Sequence, residues 1–176
     1  MVWPGGGHLD ELSDAASDYT VHLQVERPAF QQVQASIGFA VTDDVWDTVT
    51  GRLVSDAMVF ARTRKTREPV AVAVAERRSD GWVEIGWVAV APAHRGNGLG
   101  AVVCASLTRH LLAAGEVRLF GSTHDHRLAA LSIYFALGFH PVYRAEKHQR
   151  WRAVCRRLQV PFSPDEWGWP PENTGR

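Results

Sequence analysis

The chain has 176 residues, 45% of them hydrophobic and seven of them Trp, which suits one domain with a substantial core. Lys plus Arg and Asp plus Glu stand at 19 each, so no net charge draws the chain to nucleic acid or an anionic membrane. No apolar run approaches the roughly 20 residues of a membrane span, and the opening M-V-W-P-G-G-G-H lacks the basic and apolar regions of a signal peptide.

Residues 1–18 are Gly-rich and then acidic, and read as an arm. Over 19–26, Tyr19, Val21, Leu23 and Val25 alternate with polar residues, the period of a strand with one buried face. Pro28 suits a helix start, with Phe30, Val33 and Ile37 at helical spacing. Thr42 reads as the N-cap of a second helix over 43–53, with Asp43 and Asp44 favourable in its first turn. Strands are expected over 58–63 and 69–77. Asp80-Gly81 then reads as a two-residue hairpin turn into a central strand over 82–91, dense in Val, Ile, Trp and Ala.

Pro92 cannot donate to a sheet ladder and ends that strand. Arg95, Gly96, Asn97, Gly98, Leu99 and Gly100 follow, and a helical pattern runs on to Ala114, closed by Gly115. A strand, a glycine-rich turn and a helix start make an anion site. The first helical N–H groups have no internal partner, the dipole is positive there, and glycines bring the backbone close to a phosphate. The nucleotide P-loop is excluded because no Lys follows these glycines. The dinucleotide fingerprint G-x-G-x-x-G is excluded because Gly96, Gly98 and Gly100 are spaced by two.

Further on, a strand is expected over 117–123, a helix over 128–137 closed by Gly138, a strand over 139–144 and a helix over 146–158. From 159 a tail carries Trp167 and Trp169 among prolines and reads as an arm that docks on its own domain or on a second subunit as a homodimer. Cys104 and Cys155 fall on predicted helices without metal spacing, so reduced thiols in a cytoplasmic protein and no metal are expected.

Arg-x-x-Gly-x-Gly at Arg95, Gly98 and Gly100, behind V-A-V-A-P-A-H, resembles the pyrophosphate loop of the GNAT superfamily of acyl-CoA-dependent N-acetyltransferases. The late-helix pattern A-x-x-x-Y-x-x-x-G-F of that family is matched by Ala130, Tyr134, Gly138 and Phe139. The resemblance covers about 69–143 and implies the GNAT fold, α/β with a mixed central sheet flanked by helices on both faces. It implies acetyl-CoA as donor and an unidentified amine, on a small molecule or a protein, as acceptor. The transferase domain would be 19–158, between the arm at 1–18 and the tail at 159–176.

By the same resemblance, Arg95 to Gly100 grip the diphosphate, while Val88, Ala89 and Val90 lend backbone groups, the carbonyl-polarising N–H lying near Ala89 or Val90. Tyr134 protonates the leaving thiolate; a phenol of pKa about 10 is a competent donor to a thiolate of about 8.5. Where the family usually carries Asn, seven positions before Tyr134, this chain has Arg127, a donor to a phosphate or a pantetheine carbonyl. Glu84 is the candidate base, expected to share a face with Trp82, Gly86, Val88 and Val90; a cross-strand ion pair with Arg77 explains the same residue structurally. Nucleophilic catalysis by Cys104 is disfavoured, since no His is placed beside it. His124 and His126 read as a loop cluster. Two rival readings stand beside the enzyme: a non-catalytic acyl-CoA-binding module of the same fold, and an interaction protein acting through its Trp-rich tail.

Overall fold

A computed structural model of the protein describes residues 1–4 and 18–167. The rest of the expected arm, and the tail from 168 with Trp169, lie outside the described residues. In chain order come β1 Tyr19–Leu23, α1 Arg27–Ser36, α2 Asp43–Gly51, β2 Leu53–Thr63, β3 Pro69–Arg77 and β4 Val83–Val90. α3 Leu99–Ala113, β5 Leu119–Phe120, α4 Leu128–Ala136 and α5 His148–Leu158 follow. The strands lie in the order β1-β2-β3-β4-β5, antiparallel as far as β4, then parallel to β5 by a crossover through α3. The expected mixed sheet with helices on both faces is borne out.

Strand alternation divides the core in two. Met58, Phe60, Val72 and Val74 point to α1 and α2, where they meet Phe30, Val33 and Val49. Val59, Ala61, Ala71, Ala73, Val83 and Ile85 point to α3, against Leu99, Val103, Leu107 and Leu111. Each fully buried Val, Leu or Phe contributes about 1.5–3 kcal/mol. Small alanines along β3 let α3 approach the sheet closely.

Local signals hold at the helix ends. Thr42 accepts from the Val45 N–H at 3.4 Å and caps α2. Gly115 and Gly138 take φ of +85° and +83° beyond α3 and α4, a conformation costly to residues with a Cβ. β2 begins earlier than expected, at Leu53, because a register shift before Met58, with Ser55 and Asp56 at positive φ, joins an irregular segment to it.

Two expectations are corrected. The β3–β4 loop has three residues, not two: the Arg78 N–H donates to the Trp82 carbonyl at 2.8 Å, Asp80 accepts from the Trp82 N–H, and Gly81 takes φ +82°. That one added residue sets Val83, not Glu84, opposite Arg77 and puts Glu84 opposite Glu76. The strand expected over 139–144 is a single bridge. Val2 lies between Phe120 and His140, exchanging hydrogen bonds of 2.7 Å with His140, and Pro141 has no N–H to extend the ladder.

Trp167 is buried on its own chain, edge-on to Trp151 at 6.2 Å and to Phe162 at 5.2 Å. Among the described residues no helix is long and apolar enough to cross a membrane.

Candidate active site

The chain leaves β4 through a 3-10 turn at Pro92–His94 and enters α3 at Leu99. Gly96 and Gly98 take φ of +83° and +72°, and a Cβ at either would meet only open space, so glycine is required here by conformation rather than by crowding. Gly100 differs. A Cβ there would come 2.8 Å from Ile133 Cδ1, so its absence lets the first turn of α3 sit against α4. The loop from Arg95 to Gly98 is exposed, with the first N–H groups of α3 behind it.

Side chains hold the loop in place. Tyr19 Oη lies 2.9 Å from His94 Nδ1, and Asn97 Nδ2 donates to the His94 carbonyl at 3.1 Å. Arg95 Nε donates to the Val90 carbonyl at 3.3 Å. Asn97 thus has an internal task, shaping the turn. Tyr19 and His94 were not read as site residues, since nothing in the sequence says that β1 reaches the loop.

β4 is left open beside the loop. Its pairing with β5 ends at Glu84 and Phe120. Toward β3, a bulge follows the Val74–Gly86 pair, and Trp87 adopts φ +51° within it, an outlier for a bulky residue. Gln34 Nε2 donates to the Trp87 carbonyl at 3.0 Å, Trp87 Nε1 donates to Glu76 Oε2 at 2.7 Å, and Phe30 and Phe39 pack on the indole. The bulge inverts the strand's parity. Val83 and Ile85 face α3, and so do Val88 and Val90, while Ala89 and Trp87 face α1. Glu84, opposite Glu76, therefore does not share a face with Val88 and Val90 as expected; the extra residue at the bulge separates them.

Backbone direction follows. The Ala91 N–H bonds the Val70 carbonyl at 2.8 Å, and alternation turns the backbone groups of Ala89 toward β3 as well. Those of Val88 and Val90 point the other way, to the side that β5 has left.

Tyr134, on α4, closes the inner end of this gap. Its hydroxyl donates to the Ile85 carbonyl at 2.8 Å, and burial, with Cys104 and Glu84 adding to it, pushes the phenol above its usual range. Gly121 makes room for the ring: a Cβ there would fall 2.3 Å from Tyr134 Cε1 and Cζ. Gly121 was missed, because only the pairing of α4 with β5 gives that glycine a reason. Cys104 is buried, and desolvation pushes its thiol up to about 12, far from a thiolate nucleophile at neutral pH.

Glu84 is partly buried and pairs with Arg78 at 3.4 Å. Arg77, expected to pair with Glu84, instead pairs with Glu116. Glu76 is 7% exposed; burial first, and the neighbouring Glu84 carboxylate next, raise its pKa, against the Trp87 hydrogen bond. Arg127 is exposed at the N-cap of α4. His124 and His126 stack at 5.4 Å. Asp125 pairs with Arg150, whose hydrogen bond holds the carboxyl below its usual range. Beside them a cavity of about 310 Å3 is lined by Trp82, Phe120, Ser122, Thr123 and Trp151.

A parallel crossover from a bulged strand, a glycine loop at a helix start and an unpaired strand edge define the class, and a family comparison agrees. Residues 23–139 match the model of the acetyltransferase (GNAT) family, and the chain belongs to that family. Solved structures share its fold. Glucosamine-6-phosphate N-acetyltransferase from Arabidopsis thaliana aligns at TM-score 0.53 and 15% identity, over 72% of this chain and 94% of that one. AAC(6')-Iy, solved with the bisubstrate analogue CoA-S-monomethyl-acetylneamine, aligns at 0.58 and 16%, over 73% and 95%. The ribosomal-protein-S18-alanine N-acetyltransferase of Escherichia coli aligns at 0.58 and 21%, over 71% and 79%. No curated protein sequence matches the chain.

Proposed function

We propose that the protein is an N-acetyltransferase that moves the acetyl group of acetyl-CoA to an amine by direct attack. The observation that carries this reading is the open edge of β4 at Val88 and Val90, running straight into the exposed glycine turn at the start of α3. The diphosphate of CoA accepts hydrogen bonds from the N–H groups of Gly96, Asn97, Gly98, Leu99 and Gly100 and an ion pair from Arg95. The amides of the pantetheine arm add to the β4 edge as a strand would, through Val88 and Val90. The Val88 N–H then lies where it can polarise the thioester carbonyl. Ala89 supports this edge from the β3 side, and Arg127, exposed at the start of α4, offers a guanidinium to the coenzyme.

The amine lone pair forms the new C–N bond, the C–S bond breaks, and the sulfur leaves as thiolate. Tyr134 gives that sulfur a proton as its hydroxyl turns from the Ile85 carbonyl. The emerging thiolate must draw that proton out against the raised pKa that burial imposes on the phenol. Glu84 takes the proton the amine must lose, directly or through water. The need is real: a lysine-like amine of pKa about 10.4 is about one part in a thousand neutral near pH 7.4, a deficit of about 4 kcal/mol, against less than about 1 kcal/mol for an α-amino group. The free, buried Cys104 and Cys155 suit a reducing compartment, the cytoplasm.

The test is release of CoA thiol from acetyl-CoA with a panel of amines. Turnover with any of them supports the transferase. Binding of CoA with no turnover supports instead a non-catalytic acyl-CoA-binding module, the reading that the Arg78–Glu84 ion pair favours, because it occupies the base.

A further inference from the structure

At the start of β4, away from the glycine turn, Arg52, Arg77, Arg78 and Ser79 line a depression of about 330 Å3. The backbone builds it. Arg52 follows α2, and its carbonyl accepts the Arg77 N–H at 2.7 Å, tying the end of α2 to the end of β3. Arg78 closes the hairpin loop by its bond to Trp82.

The counter-ions do not match the cations. Arg77 is paired with Glu116 and Arg78 with Glu84. The Arg52 side chain makes no hydrogen bond or ion pair among the described residues. Glu76, whose charge Arg52 and Arg78 feel, is buried and engaged by Trp87, and burial favours its neutral form. A depression ringed by guanidinium groups, one of them without a hydrogen bond or ion pair among the described residues, suits an oxyanion, which such groups bind in a planar, two-point fashion.

We propose that this depression is the subsite for a carboxylate or phosphate carried by the amine acceptor, and that seating this anion draws Arg78 away from Glu84. The inference rests on the proposed transfer reaction. An anion on Arg52 and Arg78 gives Arg78 a second partner, and Glu84 loses the cation that holds it as a structural ion. The base is thereby released only when an acceptor of the right kind is present. The register sets a length. Glu84 and Val88 are four residues apart on β4, but the bulge at Trp87 takes up one of those steps, so the strand advances about 10 Å at about 3.3 Å per residue. An acceptor whose amine and anion are separated by a medium-length aliphatic spacer fits: an amino acid reacting at its side-chain amine, or an aminoalkyl phosphate.

The subsite is tested without catalysis by titrating the full chain with inorganic phosphate, and separately with acetate, at constant ionic strength. The Nε–Hε signals of Arg52 and Arg78 are followed by NMR. A saturable shift of both signals, abolished in Arg52→Gln, is expected with at least one of the two anions. Which anion saturates tells phosphate from carboxylate. Shifts that rise without saturating, or that persist in Arg52→Gln, overturn the subsite. For the acceptor itself, matched amines bearing a free acid or its amide are compared by kcat/KM. The acid is expected to be at least tenfold better in the wild type, and less than threefold better in Arg52→Gln/Arg78→Gln; equal rates in the wild type overturn the assignment. If no amine releases CoA thiol, the transfer reaction has failed, and the anion titration alone decides the subsite.

Discussion

Glu76 and Glu84 stand directly opposite each other across the β3–β4 hairpin, two carboxylates where a sheet ordinarily avoids like charges. One is bound by an indole N–H and the other by a guanidinium. Burial, with the charge of Glu84 adding to it, holds Glu76 back from ionising.

Glu76→Gln tests that asymmetry. The carboxyl of Glu76 is raised in the folded state above its ordinary 4.5, so the folded chain binds the proton more tightly than the unfolded chain. Its stabilising effect is complete below that ordinary value and is lost as pH rises through the folded one. Gln keeps an acceptor for the Trp87 N–H but has no charge to lose. The wild type should lose stability as pH rises above about 4.5, and the variant should lose less, ending more stable at pH 7 by about 0.2–1 kcal/mol. Urea midpoints across that range check it.

Glu84→Gln should lower kcat/KM about 10²-fold or more and alter its dependence on pH. An unchanged profile would make Glu84 a structural partner of Arg78 and leave the amine proton to water alone.

Much of the fold could be read beforehand because it is written in local chemistry. Thr42, Gly115 and Gly138 end or begin helices through bonds within a few residues, and the turn from Arg95 to Gly100 declares itself by its glycines. What depends on partners distant in sequence could not be read. Trp87 reverses the parity of β4 through a contact with Gln34, 53 positions away. Gly121 matters only because α4 brings Tyr134 over it. The hairpin loop takes in Ser79 beside Asp80 and Gly81, and that single added residue moved Glu84 from Arg77 to Glu76.

Tyr134 and Gly121 should behave as one unit. Tyr134→Phe leaves the Ile85 carbonyl without its donor, a loss of about 1–3 kcal/mol, and should lower kcat about 10²-fold or more. Gly121→Ala drives a methyl into the ring and should destabilise by about 1–3 kcal/mol. In Gly121→Ala/Tyr134→Ala the clash vanishes, so thermal unfolding should find the two changes strongly non-additive.

Cys104 should be inert. With its thiol pushed up to about 12, reaction with a disulfide reagent at pH 8 should require unfolding, and Cys104→Ser should retain the transferase rate. Fast labelling of the native chain at Cys104 would contradict the buried position.

The measurement that bears most directly on the account is calorimetric titration of CoA into the full chain. Saturable one-site binding is predicted for the wild type, at least tenfold weaker in Arg95→Ala, with Gly98→Ala also weakened because φ +72° is costly to any residue with a Cβ. Absence of heat with the wild type, or equal affinity in all three proteins, would contradict the diphosphate-binding role of the turn from Arg95 to Gly100.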